Sequence, residues 1–235
     1  MKRTKPINSE LLKPIEPLTP AQESLWEQYA LGKNLVAYGC AGTGKTFCLL
    51  YQALKEVLTE STPYEKIYIV RSLVPTREIG FLPGTHEDKS FLYQIPYRNM
   101  VKHMFSMYTD KEFDSLYDDL QRQETISFWS TSFLRGTTLD NAIIIVDEFE
   151  NLNFHELDSI ITRVGENSKI FFAGDASQSD LLKVTERTGI LDFMQILNGM
   201  PEFSKVEFGL EDIVRSGLVR SYLVSKINQG YDENI

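Results

Sequence analysis

Apolar residues fall along this chain in two alternating rhythms. The short runs NLVAY (34–38), IYIV (67–70), AIIIV (142–146) and KIFFA (169–173) are rich in Ile, Val and Phe. Continuous runs of this length predict strands buried on both faces, since a strand with one wet face would alternate polar and apolar positions. Weaker runs at 125–128 and 205–208 extend the series. Between them, apolar positions recur every three or four residues, the spacing of one helix face. These stretches cover 19–32, 45–58, 90–107, 112–121, 154–164, 190–197 and 214–226, with Thr19 or Pro20 opening the first and Gly32 placed to stop it. Strands alternating with helices predict a mostly parallel sheet with helices on both faces, a three-layer α/β fold. No repeat or long linker divides the series. Residues 19–228 are therefore expected to form one domain. The Lys- and Pro-rich segment 1–18 is expected to drape or fray, and 229–235 to be a tail.

Composition narrows the setting. A chain of 235 residues with 42% hydrophobic letters can bury a core without staples. Its 24 basic and 33 acidic residues leave a net charge of −9. That argues against coating nucleic acid with a broad basic face, though a small local patch stays open. The acidic run Asp110–Glu124 reads as a solvated helix face. No run reaches the ~18 apolar residues of a membrane span, and MKRTKPINSE lacks the apolar core of a signal peptide. Cys40 and Cys48 alone make neither a disulfide framework nor a four-ligand zinc site. His86, His103 and His155 share no metal spacing. The expectation is a cytoplasmic protein without membrane contact, working in host cytoplasm if viral.

The chemistry concentrates where the first strand runs into a helix. Gly39-Cys40-Ala41-Gly42-Thr43-Gly44-Lys45-Thr46 satisfies G-x-x-x-x-G-K-[ST] in full. Its four fixed letters arise by chance in roughly 1% of chains this long, before the strand–loop–helix context is counted. Glycines let backbone N–H groups converge on phosphate oxygens, and the helix N-terminus adds partial positive charge. Lys45 is expected at the β- and γ-phosphates of ATP, and the Thr46 hydroxyl on Mg²⁺. Such a site needs a carboxylate at the end of a neighbouring strand. Asp147 ends the strongest strand and is expected to hold Mg²⁺. Glu148 follows it as the general base for the attacking water. That glutamate suits activation of water and weakens a metabolic-kinase reading.

After KIFFA, Gly174-Asp175-Ala176-Ser177-Gln178 lies at the sheet edge where α/β ligands bind, so Gln178 is a candidate γ-phosphate sensor. Gln22, one helix before the loop, could read adenine with its amide. In isolation such a residue is more often solvated. Arg71, Arg77, Arg135, Lys183, Arg187, Arg215 and Arg220 are each, taken singly, expected as surface charges. Trp26 and Trp129 are expected in or near the core.

Together these residues resemble the PhoH-like family of phosphate-starvation-inducible ATP-binding proteins, itself similar to superfamily-one helicase cores. The resemblance covers roughly residues 18–228. Besides the loop it rests on Gly80-Phe81-Leu82-Pro83-Gly84, on Phe133-Leu134-Arg135-Gly136-Thr137-Thr138-Leu139 and on Asp147-Glu148. It also rests on Gly174-Asp175 with Gln178-Ser179-Asp180-Leu181, and on Asp212-Ile213-Val214-Arg215. It implies a RecA-like P-loop NTPase hydrolysing ATP and acting on RNA or single-stranded DNA. Two departures stand out. Residues 71–80 are one residue shorter than the family pattern, with Arg77 where glycine is usual. The family's Asp-Glu-Ala-Gln-Asn appears as Asp147-Glu148-Phe149-Glu150-Asn151. No nuclease segment is visible, and a compact copy of this kind would suit a bacteriophage. The alternative is an ATP-driven switch or assembly protein acting on a protein partner. A single RecA-like unit leaves its γ-phosphate side open, so a homo-oligomeric ring is expected, with six members on the family pattern. Arg215 is the first choice for an arginine arriving from the neighbouring subunit, ahead of Arg187 and Arg220.

Overall fold

The computed structural model describes residues 7–72, 86–107, 109–131, 134, 136–175 and 184–229. Six strands, β1 (Asn34–Gly39), β2 (Lys66–Arg71), β3 (Ile126–Ser130), β4 (Ala142–Asp147), β5 (Lys169–Gly174) and β6 (Phe203–Phe208), form one sheet in the order β3-β2-β4-β5-β1-β6. Every pairing is parallel. Parallel neighbours cannot be joined by tight turns, so helices cross between them and cover both faces. The expected three-layer α/β architecture, a mostly parallel sheet with helices on both faces, is the one observed.

Side-chain alternation divides the sheet between two cores. Ile143 and Ile145 of β4 face one core, with Leu35 and Ala37 of β1 and Phe171 of β5. That core is closed by α1 (Pro20–Ala30), α2 (Lys45–Val57), α3 (His86–Met104) and α4 (Asp110–Arg122). Ile144 and Val146 face the other, beneath α5 (Phe154–Ile161) and α6 (Val184–Asn198). All six β4 residues are buried, which explains why its run of isoleucines is the plainest strand signal in the sequence. The acidic run is α4. A Thr109/Glu112 capping box starts it, Phe113, Leu116, Tyr117 and Leu120 are buried, and Asp110, Asp114 and Asp118 face solvent.

Several boundaries differ from the periodicity. α3 begins at His86, upstream of the first apolar position Phe91, and runs through Pro96 to Met104. α5 stops at Ile161, beyond which Val164 forms a bridge with Leu139. α7 (Gly217–Asn228) starts three residues late, since the Val214 N–H donates to Gly42 O (3.1 Å) and holds the chain extended. At the other end, residues 7–18 form a strap. Leu12 is buried, its neighbour Lys13 donates from N–H to Met104 O (2.8 Å), and the Tyr51 hydroxyl donates to Lys13 O (2.8 Å). Trp26 stacks on Tyr51 beneath it, and Trp129 meets Tyr68 edge-on.

Candidate nucleotide site

The glycine-rich loop begins where β1 ends. Gly39 has φ +113° and lies against the backbone of Phe208, its register partner on β6. The Cys40 N–H donates to Phe208 O (2.9 Å), tying the loop to the sheet. Gly44, the N-cap of α2, supplies no side-chain hydrogen bond. The first N–H groups of α2 therefore remain free of a side-chain cap, the arrangement that suits an anion.

Within the loop, Lys45 curls back and donates from Nζ to Gly39 O (2.8 Å) and Cys40 O (2.7 Å). Burial lowers its pKa, while Asp175, Glu150, Cys40 and Asp147 act in the opposite direction. Thr43, fully buried, donates from its hydroxyl to Cys40 O (3.0 Å). Gln22 is buried, not solvated. Its Nε2 donates to Thr43 O (2.9 Å) and its Oε1 accepts from Leu18 N–H (2.8 Å). Both ends of the amide, expected to read adenine, are engaged by the loop and the strap.

Asp147 does not lie on the strand next to β1. β5 stands between β1 and β4, so the carboxylate is one strand further away than the neighbouring-strand expectation places it. The first turn of α2 spans that gap. Thr46 Oγ1 donates to Asp147 Oδ1 (2.6 Å), and the Tyr97 hydroxyl on α3 donates to Oδ2 (2.6 Å). The hydroxyl–carboxylate pair is a hard-oxygen donor set of the kind Mg²⁺ takes. Among the described residues no group of three or more His, Cys, Asp or Glu could hold a metal. The remaining ligands would be phosphate and water, the way Mg²⁺ is usually held.

Glu148 follows in the left-handed region (φ +50°). A residue with a Cβ is strained in this conformation, and such strain concentrates at functional sites. Its carboxylate pairs with Arg71 at the end of β2 (2.5 Å). Burial raises the Glu148 pKa, and Arg71 counteracts that. Arg71 is thus not a surface charge. It is half-buried, lies over the Tyr93 ring and hydrogen-bonds Tyr97.

The late Asp212–Arg215 motif is explained by contacts too distant in sequence to foresee. Asp212 is buried, accepting from Ala21 N–H (3.2 Å) and Gly209 N–H (2.9 Å). It clamps the start of α1 to the exit of β6 and delivers Val214 to the loop. Arg215 then packs on its own chain's loop: a Cβ on Gly42 would lie 2.8 Å from its Cγ. Gln178, Arg77, Arg135, Lys183 and the motif 80–84 lie outside the described residues, as does the side chain of Arg187. Sequence reasoning misses Tyr97, the role of Asp212 and the Arg71 pairing. The only sequence signals are a tyrosine on a helix and charged residues adjoining the motifs.

A profile of the PhoH-like protein family matches residues 14–227. A PhoH-like protein of Bacillus subtilis is 30% identical over 215 residues, which cover 87% of this chain and 60% of that protein. Protein PhoH2 of the same organism is 35% identical over 144 residues, covering 60% and 31%. A PhoH-like protein of Mycobacterium tuberculosis is 31% identical over 193 residues, covering 81% and 52%. The chain thus spans between 31% and 60% of the length of these relatives. Among solved structures, the DUF1998 helicase MrfA bound to DNA aligns with a TM-score of 0.48 at 13% identity, over 81% of this chain and 27% of that one. Bacteroides Pif1 bound to single-stranded DNA aligns with a TM-score of 0.37 at 16% identity, over 83% and 42%.

Proposed function

Since the chain belongs to the PhoH-like protein family, we propose that it binds ATP with Mg²⁺ at the 39–46 loop, hydrolyses it, and couples turnover to RNA or single-stranded DNA. The observation that carries this reading is the 2.6 Å contact between Thr46 and Asp147, residues 101 positions apart. It joins the phosphate loop to the carboxylate that such a site requires. Lys45 and the N–H groups of the loop would bind the phosphates. Thr46 and Asp147 would hold Mg²⁺, which supplies charge neutralisation there. Glu148 would accept the proton of the attacking water, and Arg215 would add a positive charge beside Gly42. Nucleic acid enters through the helicase-like order of motifs. The test is the ATPase rate with and without single-stranded RNA and DNA. Stimulation supports coupling, and an unchanged rate refutes it.

The second reading, an ATP-driven protein switch, is favoured by one surface. α7 has no buried residue and exposes Leu218, Val219 and Tyr222. On the first reading the same face belongs to a ring of identical subunits, six on the family pattern. Arg215 already lies on its own loop, so the arginine arriving from a neighbour would be Arg220 on α7 or Arg187. Mixing inactive Lys45→Ala chains with inactive Arg220→Ala chains restores activity if sites are shared between subunits. A monomeric mass with full activity refutes the ring.

A further inference from the structure

The carboxylate of Glu148 is held by one of its two oxygens. Arg71 reaches Oε2 at 2.5 Å, and Asn151 Nδ2 donates to the same Oε2 at 3.4 Å. Among the described residues no hydrogen bond or ion pair reaches Oε1, and the side chain is 38% exposed, enough for water to approach. The two donors come from opposite sides in sequence. Arg71 ends β2, one strand from β4, and Asn151 ends the short helical turn that Glu148 itself opens. Arg71 is held in turn, over the Tyr93 ring at 5.6 Å and in a hydrogen bond with Tyr97, whose hydroxyl binds Asp147. The left-handed backbone of Glu148 is fixed by the same turn, its carbonyl accepting from Asn151 N–H (3.0 Å).

We infer that Arg71 and Asn151 are positioning residues for the hydrolytic base. They anchor Glu148 through Oε2 and present Oε1 to the attacking water. A carboxylate takes a proton along one lone pair, so freezing one oxygen while leaving the other open reduces the base to a single productive orientation. In the step they serve, water loses a proton to Oε1 as its oxygen forms the bond to the γ-phosphorus. The bond from the β–γ bridging oxygen to that phosphorus breaks, and ADP departs with its electron pair. Arg71 and Asn151 exchange no proton. The chain of contacts also joins Asp147 to Glu148 through Tyr97 and Arg71, so the cation-binding carboxylate and the base are set by one network. The inference rests on the reading of Glu148 as the base.

The experiment compares Arg71→Ala, Arg71→Lys, Asn151→Ala and Glu148→Gln in the full chain, by ATP turnover and by affinity for a fluorescent ATP analogue. Positioning predicts that Arg71→Ala lowers kcat by about ten- to a hundredfold, a part of the full effect of a general base, with nucleotide affinity essentially unchanged. Added guanidinium ion should recover part of that rate. Arg71→Lys should retain more activity than alanine, and Asn151→Ala should lose less, given its longer contact. A wild-type or raised rate in Arg71→Ala, with Glu148→Gln inactive, overturns the inference and makes the pair a brake instead. Lost nucleotide affinity without guanidinium rescue also overturns it. Normal turnover by Glu148→Gln defeats the base assignment itself.

Discussion

Gly39→Ala tests whether the strand-to-loop junction tolerates any side chain. Two costs can be separated. At φ +113° a residue with a Cβ is strained by roughly 1–2 kcal/mol. The added methyl would also lie 2.3 Å from Phe208 O, 3.0 Å from its N and 3.1 Å from its C. These are backbone atoms of a paired strand, so no side chain can swing aside. β6 would have to retreat by about 1 Å to reach ordinary contact. That movement breaks the Cys40 N–H to Phe208 O hydrogen bond (2.9 Å), worth roughly 1–3 kcal/mol when its groups stay buried. Together the loss is about 2–5 kcal/mol, set against a total of roughly 5–15 for an ordinary domain. At about 2–4 °C per kcal/mol for a chain this size, Tm should fall by about 4–20 °C. Gly32→Ala is the control. Gly32 also has positive φ (+77°), but a Cβ there meets nothing within 4 Å. Only the conformational term applies, so its Tm should fall by only a few degrees. Thermal unfolding followed by circular dichroism measures both variants. Equal shifts would refute the argument that contact with β6, and not φ alone, demands glycine at 39.

Lys45→Ala removes the ammonium group from the phosphate loop, and affinity for ATP measured by calorimetry should fall at least about tenfold; unchanged affinity would remove the loop from the site. Tyr97→Phe takes the hydroxyl from Asp147 Oδ2, and the denaturation midpoint should report a loss of roughly 1–3 kcal/mol, as for a buried acceptor left without its donor. Burial pushes the Glu150 carboxyl up to about 8, above its unfolded value of about 4.3. The unfolded chain gives up this proton first, so stability should fall as pH rises from about 4.5 to about 8 and then level off. Urea midpoints across that range should show the slope reduced in Glu150→Gln, and an unaltered slope would rule out Glu150 as its source.

Local chemistry is legible in the amino-acid sequence alone. The loop Gly39–Thr46, the Asp147-Glu148 pair after AIIIV, and the alternation of strands and helices rest on interactions within a few residues. Backbone dihedrals, side-chain periodicity and the need of Gly39 and Gly44 for positive φ all act at that range. The tertiary structure decides everything that depends on strand order. Asp147 meets Thr46 across an intervening strand because β5 enters the sheet between β1 and β4. Nothing in the spacing of residues 39 to 147 encodes that insertion. Gln22 reads as a solvated helix residue because a glutamine taken singly is mostly exposed; in the fold it is buried and hydrogen-bonds Leu18 and Thr43. Arg71 reads as a surface charge because its partners Tyr93, Tyr97 and Glu148 lie on other elements. Distance along the chain separates Arg215 from the loop by more than 160 residues. Parallel pairing of β6 with β1, and the Asp212 clamp, bring it against Gly42. Sequence separation says little about proximity in a parallel sheet, because each crossover brings the same end of every strand to one edge.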